Sequence, residues 1–121
     1  MARILIVEDS PTEQTMMANL LRQHGHEVWT AEDGQKAIVA AREHRPELIF
    51  MDVVMPVLNG YQATRELKKD ELTAHIPVVM LTSKTQDSDR YWGMRQGAKA
   101  YLCKPASNED ILRAVDELIP S

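Results

Sequence analysis

The sequence predicts an α/β fold, a doubly wound five-stranded parallel sheet with five helices. Three observations predict it. Short apolar runs alternate along the chain with longer stretches of helical spacing. Several of those runs are continuously apolar, as in strands covered on both faces. The 121 residues suffice for one domain with a continuous core, and not for an eight-stranded barrel. Strand-then-helix repeats imply parallel strands joined by right-handed crossovers.

Each element has its own signal. Ile4-Leu5-Ile6-Val7 reads as the first strand, and Ser10-Pro11 opens the first helix, where a first-turn proline is tolerated. Met16, Met17, Leu20 and Leu21 form that helix's apolar stripe, and Gly25 follows its end. Val28-Trp29 marks the second strand, with Ala37, Ile38 and Ala41 on the helix after it. Leu48-Ile49-Phe50-Met51 is the third strand, followed by a helix carrying Ala63, Thr64 and Leu67. Val78-Val79-Met80-Leu81 is the fourth. Tyr91 and Trp92 lie on the next helix and point about 100° apart, so only one can face the core and the other is expected to be exposed. Gly97 closes that helix, and Ala100-Tyr101-Leu102-Cys103 is the fifth strand. Ser107, with Asp110 three residues on, caps a last helix striped by Ile111, Leu112, Val115, Leu118 and Ile119.

Composition narrows the functions. With 44% hydrophobic and 26% charged residues the chain is an ordinary globular one. A net charge of -4 argues against a nucleic-acid partner. No apolar run approaches the ~20 residues that span a bilayer, and the apolar start meets two acids at once, unlike a signal peptide. A single cysteine, Cys103, fits a reducing compartment and an inert packing role, so a cytoplasmic location is expected. His24 and His26 around Gly25 read as a surface turn, since a zinc site needs further ligands. Most of the seven methionines are expected in the core.

The polar residues fall in a pattern. Glu8-Asp9 follows the first strand, Asp52 the third, Thr82-Ser83 the fourth and Lys104 the fifth. Any one of them alone reads as a cap or a loop residue. Open α/β sheets, however, bind ligands beyond the carboxyl ends of their strands, so these residues should converge there. Three clustered carboxylates repel unless a cation joins them, and a set of hard oxygen donors without histidine or thiolate points to Mg²⁺. Lys104 adds a mobile positive charge and Thr82 a hydroxyl, a combination that suits a phosphoryl group. Asp52, alone between Met51 and Val53, is the candidate nucleophile, and Glu8 with Asp9 the metal-holding pair.

From Ile4-Leu5-Ile6-Val7-Glu8-Asp9 through Met51-Asp52-Val53-Val54-Met55-Pro56 and Gly60 to Thr82 and Lys104-Pro105, the chain resembles the receiver domains of two-component response regulators, of the single-domain CheY-like kind. The resemblance implies a flavodoxin-like sheet of strand order 2-1-3-4-5. It also implies one receiver domain over residues 1–121, with no effector domain. Asp52 would be the phosphorylated aspartate. Mg²⁺ would be held by Asp9, Asp52 and the backbone carbonyl of Val54, with Glu8 acting through water. Thr82 and Lys104 would contact the phosphoryl group, and Thr82 and Tyr101 would form the switch. The donor would be a sensor histidine kinase or its phosphotransfer domain. A downstream protein would bind the face made by the fourth helix, fifth strand and fifth helix. Met1 to Glu13, Asn59 to Arg65 and Trp92 to Ala98 are similar to PilH-type receivers of the type IV pilus chemosensory system, which controls twitching motility.

Some positions depart from the family's common choices. Glu8 stands where aspartate is commoner, and its extra methylene still reaches a metal-bound water. Ser83 stands where alanine is frequent. Val54 and Lys84 occupy positions where the family tunes phosphoryl lifetime, and Val54 has no side-chain atom to orient a water. The main alternative output is a phosphate sink or phosphorelay intermediate. An aspartyl-phosphate phosphatase or phosphotransferase generally needs a further acid two residues past its nucleophile, where this chain has Val54. A degenerate domain that never carries phosphate would have no use for Glu8, Asp9, Asp52, Thr82 and Lys104 together.

Overall fold

The computed structural model describes residues 1–119; positions 120 and 121, the end of the expected domain, lie outside the described residues. Strands and helices alternate throughout: β1 (Arg3–Val7), α1 (Pro11–Gln23), β2 (Glu27–Ala31), α2 (Gly34–His44), β3 (Leu48–Met51), α3 (Gly60–Lys69), β4 (Val78–Thr82), α4 (Asp87–Arg95), β5 (Ala100–Cys103) and α5 (Asn108–Leu118). The five strands form one sheet of order β2-β1-β3-β4-β5, and the pairs are parallel. No described helix is long and apolar enough to cross a membrane.

The continuous apolar runs divide between two cores by the two-residue period of a strand. In β3, Ile49 and Met51 join Leu5, Val7, Val78 and Met80 beneath α2 and α3. Leu48 and Phe50 face the other way, with Ile4, Ile6 and Val79, against α1 and α5. Helix starts agree with their sequence signals. Ser10 caps α1 by accepting from the Glu13 amide, with Pro11 in the first turn, and Ser107 caps α5 by accepting from the Asp110 amide.

Two helix N-termini fix the loop that follows β3. The Gly34 amide donates to the Leu58 carbonyl at 3.1 Å and the Gly60 amide to the Val53 carbonyl at 2.9 Å. A side chain at Gly60 would collide with the Asp52 carbonyl oxygen, so only glycine permits this approach. Between the clamps, Val57 takes a left-handed backbone at φ 69°.

Candidate functional site

Because the strands are parallel, the residues after their C-terminal ends gather along one edge of the sheet. The Glu8 amide donates to the Ala31 carbonyl at 2.9 Å, and the Asp52 amide donates to the Val7 carbonyl at 3.0 Å. The Lys104 amide does the same with the Thr82 carbonyl at 2.8 Å. Each strand thus keeps its ladder for one residue beyond its end, and these three charged side chains meet above the middle of the sheet.

Carboxylate oxygens of Glu8, Asp9 and Asp52 lie within 4.8 Å of one another; Glu8 and Asp52 are buried and Asp9 is exposed. Asp52 Oδ1 accepts from the Val53 amide at 2.6 Å, and Oδ2 accepts from Lys104 Nζ at 2.9 Å. The same ammonium reaches Glu8 Oε1 at 2.5 Å and Glu13 Oε1 at 3.1 Å. Burial pushes the Glu8 carboxyl up to about 7, against the opposing hydrogen bond from Lys104. Burial works against the Lys104 charge as well, but hydrogen bonds to Glu8 and Asp52 outweigh it and hold the ammonium above the usual lysine range.

One lysine faces the three clustered acids and Glu13. Such a set of hard oxygen donors fits a small divalent cation, and this chemistry matches the Mg²⁺ expectation. The cluster opens into a cleft of about 990 Å³ between α1 and the start of α5, whose lining includes Val54, Ser83, Met17 and Leu20.

Thr82 and Tyr101 hydrogen-bond to other groups and not to this cluster. Thr82 is fully buried and its hydroxyl accepts from the Lys84 amide at 3.3 Å. Tyr101 is 5% exposed, and its hydroxyl donates to the Lys84 carbonyl at 2.8 Å. Lys84, read from sequence only as a lifetime position, joins the two through its backbone. The Tyr61 hydroxyl adds a contact at 3.4 Å to that of Tyr101 and donates to the Asp89 carbonyl at 3.1 Å. Arg90 covers the Tyr101 ring and donates to its carbonyl at 3.1 Å.

Tyr91 and Trp92 are both exposed, at 61% and 50%, which corrects the expectation that only one would be. The reason is that α4 buries only Gly93, against which the Tyr101 ring packs, so its inner face has no place for either aromatic. Met16 is 67% exposed beside the cleft, off the stripe made by Met17 and Leu21, and Met1 and Met94 are exposed too. Glu13 and Tyr61 are residues of the site that the sequence did not single out. The first was visible only as an acid in a first turn, the second only as an aromatic after a glycine. His24 Nδ1 lies 3.0 Å from the Leu20 carbonyl at the end of its own helix, and His26 Nδ1 accepts from the Ala2 amide beside the start of β1, so these ring nitrogens are engaged by the backbone.

Comparison with known proteins agrees with this geometry. The model of the response regulator receiver domain matches residues 4–116. Protein PilH of Pseudomonas aeruginosa is 49% identical over 119 residues, covering 98% of each chain. The crystal structure of a receiver domain of a sensor histidine kinase from P. aeruginosa, with a magnesium ion coordinated in its active-site cleft, superposes with TM-score 0.92 at 36% identity, over 99% of this chain and 98% of that one. Chemotaxis protein CheY4 of Vibrio cholerae gives TM-score 0.92 at 32% identity, over 98% and 99%. In several longer curated relatives the chain spans about half of the protein's length.

Proposed function

Because the chain belongs to the response regulator receiver family, we propose that it accepts a phosphoryl group on Asp52 in a Mg²⁺-dependent reaction and signals through a switched protein-binding face. The donor is a phosphohistidine of a sensor kinase or of its phosphotransfer domain. The observation that carries this reading is the contact of Lys104 Nζ with Asp52 Oδ2 at 2.9 Å inside a cluster of three carboxylates.

A carboxylate oxygen of Asp52 attacks phosphorus, and the P–N bond to the donor breaks. Its electron pair leaves with the imidazole, which takes up a proton, and Asp52 is left as an acyl phosphate. Lys104 neutralises charge on the phosphoryl oxygens. Asp9, Asp52 and the Val54 carbonyl would hold Mg²⁺, with Glu8 acting through water; bound there, the ion supplies positive charge to the phosphoryl oxygens. In the reverse branch, water attacks phosphorus and the P–O bond to Asp52 breaks, releasing phosphate. The Val54 side chain offers no atom to orient that water.

Readout runs through the Lys84 linkage. A phosphoryl oxygen draws the Thr82 hydroxyl toward Asp52, which disturbs its bond with the Lys84 amide and hence the Tyr101–Lys84 bond. The affected face is that of α4, β5 and α5, where exposed Tyr91 and Trp92 supply aromatic anchors for a target. The 49% identity to PilH supports a place in type IV pilus chemosensory control of twitching motility.

Intact-mass spectrometry after incubation with Mg²⁺ and acetyl phosphate tests the reading. A single phosphoryl adduct, decaying slowly and missing in Asp52→Asn, is the expected result. Steady release of phosphate without an adduct would instead indicate an enzyme, and no adduct would indicate a degenerate domain.

A further inference from the structure

The stretch Ser10-Pro11-Thr12-Glu13 has the spacing at which a first-turn glutamate reaches back to the N-cap amide. Ser10 makes its half of that exchange, Oγ accepting from the Glu13 amide at 3.3 Å. Glu13 does not make the other half. The Ser10 amide donates to Glu8 Oε2 at 3.0 Å instead, and the Glu13 carboxylate contacts Lys104 Nζ at 3.1 Å. An ammonium has three hydrogens, and Lys104 has three carboxylate partners: Glu8, Asp52 and Glu13. Two of them stand in the convergent cluster that suits a cation. Glu13 stands outside it, half exposed at the mouth of the cleft.

Resting on the reading that Mg²⁺ binds at Glu8, Asp9 and Asp52, we propose that Glu13 is a positioning residue that retains Lys104 when the cation takes over Glu8 and Asp52. A divalent cation and an ammonium repel each other and compete for the same oxygens. Without Glu13 the displaced ammonium loses its remaining carboxylate partner on the cleft wall. With Glu13, the flexible lysine stem swings toward α1 and stays within reach of a phosphoryl group on Asp52. The Glu13–Lys104 contact is therefore stronger with the metal bound than without it. By linkage, Glu13 tightens Mg²⁺ binding, and does so through Lys104.

The test is a double-mutant cycle read by titration calorimetry with MgCl₂ at physiological ionic strength, on protein shown to be folded by circular dichroism. In the parent, Glu13→Ala should weaken Mg²⁺ binding by about fivefold, whereas in a Lys104→Met background the same change should weaken it less than about twofold. Glu13→Gln, which keeps an acceptor oxygen and a good helix former, should fall between and covers the case of a poorly folded alanine variant. Equal factors in both backgrounds would show that Glu13 acts only as a nearby negative charge, which overturns the proposal. Asp9→Asn separates the two levels of failure. If it abolishes binding while the cycle is flat, the metal reading stands and the Glu13 role falls; if it binds Mg²⁺ as the parent does, both fall.

Discussion

The Tyr101 hydroxyl donates to the Lys84 carbonyl at 2.8 Å, and the amide of that same residue donates to the Thr82 hydroxyl at 3.3 Å. One residue's backbone thus connects the end of β4 with the aromatic ring packed beneath α4. A pull on Thr82 would reach Tyr101 without any need for α4 to unfold, because the connection runs through the loop that precedes the helix.

Tyr101→Phe removes the donor and leaves the Lys84 carbonyl without it. The variant is expected to lose about 1 kcal/mol in urea unfolding at unchanged m, the usual net value of one such bond. A variant as stable as the parent would mean that this bond does not hold the ring inward.

Gly60→Ala forces a β-carbon into the Asp52 carbonyl, which is backbone and cannot turn aside. The loop must shift, so a loss of about 2 kcal/mol or more is expected, together with slower phosphorylation. Unfolding midpoints and adduct formation rates measure the two effects, and parental values in both would contradict the clamp.

Val57 is β-branched, 80% exposed and held at φ 69°, a region that L residues with branched side chains avoid. Val57→Asn should raise the unfolding free energy by about 1 kcal/mol, since asparagine tolerates this conformation and no buried contact is lost. Denaturant unfolding decides it, and a decrease in stability would contradict the strain.

On the proposed reading, Mg²⁺ binds the folded cluster and not the unfolded chain. At a concentration about 100 times its Kd it should stabilise the protein by about 2.7 kcal/mol, read as a rise in Tm. Asp9→Asn, which removes one anionic ligand while keeping its shape, should lose most of that gain. The same gain in the variant would remove Asp9 from the ligand set.

The sheet was legible because β1, β3 and β4 are runs of apolar residues too short for helices, and the strand ends were legible because each is followed at once by a charged or hydroxyl residue. Glu8, Asp9, Asp52 and Lys104 do meet. Glu13 was not legible, because its partner depends on Glu8 capturing the Ser10 amide. Tyr61 was hidden for a similar reason, since its contacts lie on Asp89 and Tyr101, far along the chain. Spacing also says which residues share a helix face and not what covers that face. Tyr91, Trp92 and Met16 are exposed for that reason, α4 offering the sheet little besides Gly93.

The proposed metal site, lysine positioning and Thr82–Tyr101 relay would all serve a phosphoryl group carried by Asp52. Borohydride reduces an aspartyl phosphate to homoserine, so the protein treated with acetyl phosphate and Mg²⁺, then reduced and digested, can be mapped by peptide mass spectrometry. Homoserine at residue 52 and at no other carboxylate is the predicted result. Homoserine at Asp9, the longer 2-amino-5-hydroxypentanoate at Glu8, or an unmodified Asp52 in protein that carries a phosphoryl adduct, would contradict it.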